Sequence, residues 1–393
     1  MNQNVTPSIF SVGIDDPNVQ LFEQQYKLTR GMSYNSYAII DRQIAVVDSV
    51  EAGHADQWLR QISEATDGRA VDYLIVQHME PDHSACIMEA VDRWPGLKIV
   101  TTAKSAAMLA QFFPQADLSD RIQTVKEGDT LQLGDHTLRF IMAPMVHWPE
   151  VMVTYDETDK VLFSADAFGK FGAVQYPDDW VSEARRYYIN IVGKYGAQVQ
   201  ALLRKLQEPA IRTIAPLHGP VLRENLAFYV DLYHRWSRYE PECKGILVAY
   251  SSIYGGTAEA ANRLAEMLRR RNCGEIVTMD LSLTDQAEAV AQAFRLSAMV
   301  VAAPTYDAAL YPPMHDFLHH LRLKNYRNRR VGMIENGSWA PIAAKLMREM
   351  LQPLQGIEIV EPVVTVRSRL NAANIDQLEA LADAMASDPD TNV

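Results

Sequence analysis

Short apolar runs broken by turn residues fill the first 240 or so positions of the chain, and a regular strand–helix rhythm takes over near residue 245. Over residues 9–50 the runs IFSVG, SYNSYAII and IAVVDSV, the last two separated by Asp41, Arg42 and Gln43, read as short antiparallel strands. A helical pattern over 54–65 leads to the apolar run VDYLIV, and a helix-like segment follows over 84–94. Next come the strand LKIVTT, a helix over 104–113, and the strand candidates RIQTV, TLQL and TLRFIMA. EVMVTY and KVLFSA flank the turn 156–159 as a hairpin, a long amphipathic stretch covers 181–206, and IRTIAPLHGP reads as a strand stopping at His218. A helix over 225–239 closes this half. Strands interleaved with few helices suit two sheets carrying helices on their outer faces.

From Gly245 the runs GILVAY, EIVTMD, AMVVAAP, RVGMIEN and IEIVEPVV recur with helical segments between them. That alternation predicts a doubly wound sheet of five parallel strands, whose ligands sit at the strands' carboxyl ends. The polar piece 240–244 marks the boundary, so domains are expected over 1–242 and 243–393. The length of 393 residues suits such a division.

Composition narrows the partners. A net charge of −12 with no offsetting basic stripe argues against nucleic acid and anionic membrane. Cys86, Cys243 and Cys273 form no CxxC pair, which excludes a disulfide framework and an attached iron–sulfur or rubredoxin-type site. No stretch has the length and apolarity of a signal segment or membrane span, and the expected compartment is the cytoplasm.

The chemistry concentrates in VDYLIVQHMEPDHSAC, where an apolar strand ends in His78, Met79, Glu80, Pro81, Asp82 and His83. Two imidazoles and two carboxylates this close repel or stay unpaired unless a cation organises them. Nitrogen and carboxylate oxygen are the donors that suit iron, zinc or manganese. Three further residues follow apolar strands in the same way: His147 in APMVHWPE, Asp166 in LFSADAFG and His218 in APLHGP.

A second constellation, YSSIYGGT, joins the first strand of the doubly wound half to a helix. Ser251, Ser252, Ile253, Tyr254, Gly255, Gly256 and Thr257 supply a tight turn, helix N-terminal N–H groups and hydroxyls able to hold a phosphate. No Lys follows the glycines, so this is not a nucleotide-triphosphate loop. Pro304, Thr305, Tyr306 and Asp307 end the third strand, while Asn336, Gly337, Ser338 and Trp339 follow the fourth. Both loops set an aromatic beside backbone polar groups, as a flat ring system requires.

The N-terminal half resembles the metallo-β-lactamase superfamily, in which an HxHxDH loop and later His, Asp and His residues hold two metals. Here Glu80 replaces the second His, and the resulting HxExDH pattern resembles the flavodiiron proteins, which join such a domain to a flavodoxin-like one. The resemblance implies an N-terminal αββα sandwich and a C-terminal flavodoxin-like doubly wound sheet. It implies that His78, Glu80, His147 and Asp166 ligate one iron, and that Asp82, His83 and His218 hold the other with Asp166 bridging. Replacing an imidazole by Glu80 adds a hard anionic oxygen, which favours iron over zinc. It also implies FMN, with its phosphate on 252–257 and its ring between the other two loops, although Ala340 and Pro341 stand where many relatives have Ser-Gly.

The activity so implied is reduction of dioxygen to water, nitric oxide to nitrous oxide, or both. Two ferrous ions and a reduced flavin together hold the four electrons that dioxygen needs. Electrons would come from a separate rubredoxin, a flavoprotein reductase or a reduced deazaflavin, and the assembly would be a head-to-tail homodimer or a dimer of dimers. Two other readings compete: a zinc hydrolase with a flavodoxin-like appendage, in which metal-bound hydroxide attacks an ester, and a non-catalytic electron carrier with a structural metal.

Overall fold

Alternation of apolar positions in the first half builds two sheets that share one core. The first orders the strands Ile9–Ser11, Tyr37–Ile39, Ala45–Val47, Tyr73–Val76, Lys98–Thr102 and Ile122–Val125. The second orders Thr130–Gln132, Thr137–Met142, Met152–Asp156, Val161–Phe163 and Thr213–Ala215. Tyr37 and Ile39 on one sheet, and Leu138 and Phe140 on the other, point every second side chain into a single buried cluster with Val47, Ile75, Met152 and Phe163. Helices cover the outside; Ala55–Ala65, for instance, buries Trp58 and Ile62 on one face. This is the αββα sandwich expected. The computed structural model describes residues 4–174 and 180–387.

Three local readings change. The segment 84–94 is two pieces, Pro81–Ser84 and Ile87–Arg93, because Pro81 starts a helix directly after Glu80. The stretch 181–206 breaks into Trp180–Tyr187, a π-turn at Tyr188–Val192, a 3₁₀ turn at Gly193–Tyr195 and Gly196–Lys205. Two glycines in the stretch weaken the α-helix there, and Asn190 Nδ2 donates to the Arg186 carbonyl at 2.8 Å across the wider turn. Two small hairpins also appear, Ile14–Asp16 with Met32–Tyr34 and Leu21–Phe22 with Tyr26–Lys27.

The second half forms a parallel sheet in the spatial order Glu275–Asp280, Cys243–Tyr250, Leu296–Tyr306, Arg329–Asn336, Ile357–Val366. The short strand Ala309–Leu310 pairs antiparallel with the end of the third. Ile246, Val248, Val300 and Ile334 from the strands pack against Leu264 and Leu268 of helix Gly256–Arg270 and Leu381 of helix Ala372–Ala386. The compact units divide at His234 and Arg235, inside the helix Leu226–Ser237. Residues just beyond are tied into the second unit: the buried Arg329 guanidinium donates to the carbonyls of Tyr239, Phe294 and Leu296 at 2.8, 2.8 and 2.9 Å.

Candidate functional site

Strand Tyr73–Val76 is buried along its last three residues and delivers the chain straight to His78, which is fully buried. The two imidazoles of the loop, His78 and His83, belong to different groups. His78, Glu80, His147 and Asp166 bring one ligand atom each within 4.8 Å of one another, and so do Asp82, His83 and His218. All seven expected metal-binding residues are thus gathered. Asp166 stands between the groups: one carboxylate oxygen lies 3.4 and 3.0 Å from Nε2 of His78 and His147, the other 3.2 and 3.8 Å from Nε2 of His83 and His218.

Charge and hydrogen bonding show what the groups need. Both carboxylate oxygens of Asp82 and of Asp166 are buried and lack hydrogen-bond partners. The Nε2 atoms of His78 and His147 face each other at 3.3 Å, and those of His83 and His218 at 3.1 Å. Burial pulls the His78 imidazole down, but Asp166, with Glu150 and Glu80, outweighs it and holds His78 well above its ordinary value. Burial likewise opposes and Asp166 and Glu80 overcome it at His147, pushed up to about 9. Imidazole nitrogens turned on one another beside orphaned carboxylate oxygens fit divalent cations in both groups.

The outward nitrogens are occupied. His78 Nδ1 lies 2.8 Å from Glu150 Oε1, which also accepts from the Met79 N–H at 2.9 Å. His218 Nδ1 lies 2.7 Å from the Ser33 carbonyl. These contacts fix each ring's tautomer and aim Nε2 inward. Asp48, fully buried, accepts from the backbone N–H of Gln77 and the Gln77 amide, anchoring the strand end. Aromatic rings pack round the imidazoles: Trp148 on His78, and Phe22, Tyr34 and Tyr187 on His218. The Tyr187 hydroxyl is buried without a partner. Of these supporting residues, only Trp148 stands out beforehand, as the neighbour of His147.

A cleft of about 430 Å³, lined by Phe22, Glu23, Tyr34, Glu80 and Asp82 among others, opens beside the carboxylates. Behind the loop, Cys86 is fully buried and its thiol points to the Glu51 carbonyl at 3.6 Å. Burial pushes that thiol up to about 12.

His136, Asp156 and Asp159 form a third close group. It is internally satisfied: His136 Nδ1 lies 3.0 Å from Asp156 Oδ2, its Nε2 lies 3.0 Å from Ser8 Oγ, and Ser8 donates to Asp159 at 2.9 Å. It reads as a polar staple holding the N-terminal strand.

In the second unit, the strand ends enclose a cleft of about 650 Å³. It is lined by Ser252, Ile253, Tyr254, Gly256 and Thr257 of the first loop, Pro304 to Asp307 of the third, and Asn336 to Trp339 of the fourth. Ser251 and Gly255 do not line it. Ser251 is fully buried at the strand end with its hydroxyl unpartnered, and Gly255 takes φ +86° to start helix Gly256–Arg270. A Cβ on Gly256 would meet the Ser368 carbonyl at 2.3 Å, so only glycine lets the loops close this tightly. Ser252 Oγ accepts from the Gly255 N–H at 3.1 Å. Thr305 Oγ1 accepts from the N–H groups of Ile342 and Ala343 at 2.9 and 3.1 Å, capping helix Ala343–Leu351. Tyr254 and Trp339 are 90% and 87% exposed, so apolar rings stand open at the cleft rim where a flat ligand would cover them. Ser368 and Arg369, after the fifth strand, also line the cleft and are absent from the sequence expectation. The strand-end rule applies to the fifth strand as well and was the available signal.

Comparison with known proteins follows the same two-part organisation. The sequence model of the family described as "ODP family beta lactamase" matches residues 32–219. A protein named nitric oxide reductase, from Moorella thermoacetica, is 30% identical over 377 residues, covering 92% of each chain. Among solved structures, rubredoxin oxygen:oxidoreductase from Desulfovibrio gigas superposes with a TM-score of 0.93 at 26% identity, covering 98% of both chains. The flavodiiron protein from Giardia intestinalis superposes with a TM-score of 0.92 at 25% identity, covering 98% of this chain and 96% of that one. With similarity running through both units in the same order, the chain belongs to the flavodiiron protein family.

Proposed function

We propose that this chain is a flavodiiron oxidoreductase that reduces dioxygen to water, nitric oxide to nitrous oxide, or both. One iron is held by His78, Glu80, His147 and Asp166, and a second by Asp82, His83 and His218 together with Asp166. FMN occupies the strand-end cleft of the second unit. The observation that carries the reading is Asp166, whose two oxygens each face a different imidazole pair. A carboxylate so placed would help to hold both irons, and two irons would supply the redox chemistry for a reaction that moves several electrons at once.

When bound, FMN supplies electrons and the irons supply the place where the gas is reduced. The protein's own part is positional. Glu150 and the Ser33 carbonyl hold the His78 and His218 rings so that Nε2 aims inward. Glu80 and Asp82 line the 430 Å³ cleft, through which a small gas would reach them. Phe22, Tyr34 and Tyr187 pack on the His218 ring, which is fully buried. In the second unit, the glycine turn gives backbone N–H groups to a phosphate, and Tyr254 and Trp339 offer faces to a flat ring.

The electron donor in this reading is a separate carrier of the rubredoxin or flavoprotein type, a choice supported by the name of the Desulfovibrio gigas protein. A head-to-tail homodimer and a cytoplasmic setting complete the proposal. Among the described residues no helix is long and apolar enough to cross a membrane.

Metal analysis and absorbance of the anaerobically purified protein test the proposal. The expected result is about two irons and one FMN per chain, with rapid reoxidation of the pre-reduced flavin by dioxygen or nitric oxide. Bound zinc with ester hydrolysis, or a protein that takes up no flavin, would sink it.

A further inference from the structure

The cleft in the second unit is walled by one loop more than a mononucleotide turn needs. After strand Ile357–Val366 the chain turns back on itself at Ser368, whose φ is +68°, and the Arg369 N–H donates to the Arg367 carbonyl at 2.9 Å. Three contacts fix this turn against the fourth loop. Asn336 Oδ1 accepts from the Ser368 N–H at 3.0 Å, Asn336 Nδ2 donates to the Ser368 carbonyl at 3.3 Å, and the Ser338 and Ser368 hydroxyls lie 2.7 Å apart. The Ser368 carbonyl also sits against Gly256, the first residue of the helix that begins the glycine turn. The fifth loop is therefore seated beside the start of helix Gly256–Arg270, where the proposed flavin would place its phosphate.

Charge then singles out one side chain. The glycine turn holds no Lys or Arg, and among the described residues lining the cleft Arg369 is the one with a permanent positive charge. Its guanidinium lies 3.6 Å from Glu259, in the first turn of that same helix, and both side chains are more than half exposed. An exposed pair at this distance is weak and easily exchanged for a better anion. A phosphate monoester carries close to two negative charges near neutrality and offers three acceptor oxygens, which a guanidinium fork matches.

We infer that Arg369 is the residue that makes this cleft prefer the phosphorylated flavin to its unphosphorylated parent, exchanging Glu259 for the phosphate. The inference rests on the flavin reading of the cleft. Arg369 is a specificity residue for the ligand's phosphate and takes no part in the redox chemistry.

Flavin-free protein titrated with FMN and with riboflavin, followed by quenching of flavin fluorescence at low and moderate salt, tests it. Arg369→Gln is expected to weaken FMN about tenfold at low salt, leave riboflavin within about twofold, and flatten the salt dependence. Glu259→Gln is expected to tighten FMN several-fold, a gain that disappears in the double variant because it acts through Arg369. Undiminished FMN binding by the Arg369 variant overturns the inference while leaving the flavin reading intact. Equal losses for both flavins also overturn it, since they assign Arg369 to holding the loop. If the unsubstituted protein binds neither flavin, the reading beneath the inference falls with it.

Discussion

The seven proposed metal-site residues were legible in two ways: His78, Glu80, Asp82 and His83 as a cluster in one loop, and His147, Asp166 and His218 as repeats of the same strand-end position. What orients them was not. Glu150 lies 72 positions from the His78 ring it supports, and Ser33 lies 185 from His218. Neither pairing leaves a local pattern, because both form only when two sheets close. The Tyr187 hydroxyl is hidden in the same way, in a helix whose pattern announces only a buried face. Glu150→Ala removes the acceptor that fixes His78 and is expected to lower ferrous iron affinity by roughly 10- to 100-fold, with circular dichroism unchanged. Anaerobic iron titration checks it, and wild-type affinity in that variant would show that the ring is held by other means. Glu150→Gln, which keeps an acceptor, should fall between the two.

Elements with several alternating or helical positions were read correctly, including the hairpin around 156–159 and the five parallel strands of the second unit. Elements of two or three residues, such as Leu21–Phe22 and Tyr26–Lys27, carry too few positions to show a period. The break in 181–206 escaped for another reason: its residues stay apolar and buried through the π-turn, so the pattern continues where the hydrogen bonding changes. The polar staple at the start of strand Thr137–Met142 yields a prediction about pH. A hydrogen bond to Asp156 chiefly raises His136, burial opposes it, and the charges of Asp156, Asp159 and Asp41 add to it. A histidine raised on folding stabilises below its unfolded value of about 6.5, and the gain is lost as pH climbs through the folded value. The unfolding free energy of wild type should therefore exceed that of His136→Gln by on the order of 1 to 2 kcal/mol at pH 5.5, and by less at pH 9. Denaturant melts at the two pH values measure the gap, and a gap that does not shrink refutes this role for the charge.

At the scale of the whole molecule, the change of rhythm near residue 245 announced two architectures, and two compact units are found. The division falls at His234 rather than in the polar piece 240–244 because Arg329 binds Tyr239 through the backbone, a contact spanning 90 positions. Composition set bounds on partners but could not say which strand ends held chemistry; that came from the loops. Each ligand should leave its mark on its own unit. Hydrogen exchange on flavin-free protein is expected to show FMN slowing amides of the loops around 252–257, 304–307, 336–339 and 368–369, and iron slowing those around His78 and Asp166. Protection by FMN confined to Met1–His234 would contradict the assignment of the cleft.

The burial of Cys86 behind the loop of His78 gains meaning under the proposed activity, whose substrates are oxidants. Sulfur chemistry with such molecules runs through the thiolate, and the Cys86 thiol stays protonated far above neutral pH. Burial raises Cys243 and Cys273 as well, so every thiol in the chain is held in its less reactive form. Under the proposed activity, the fold itself thereby limits self-inflicted damage at this sulfur.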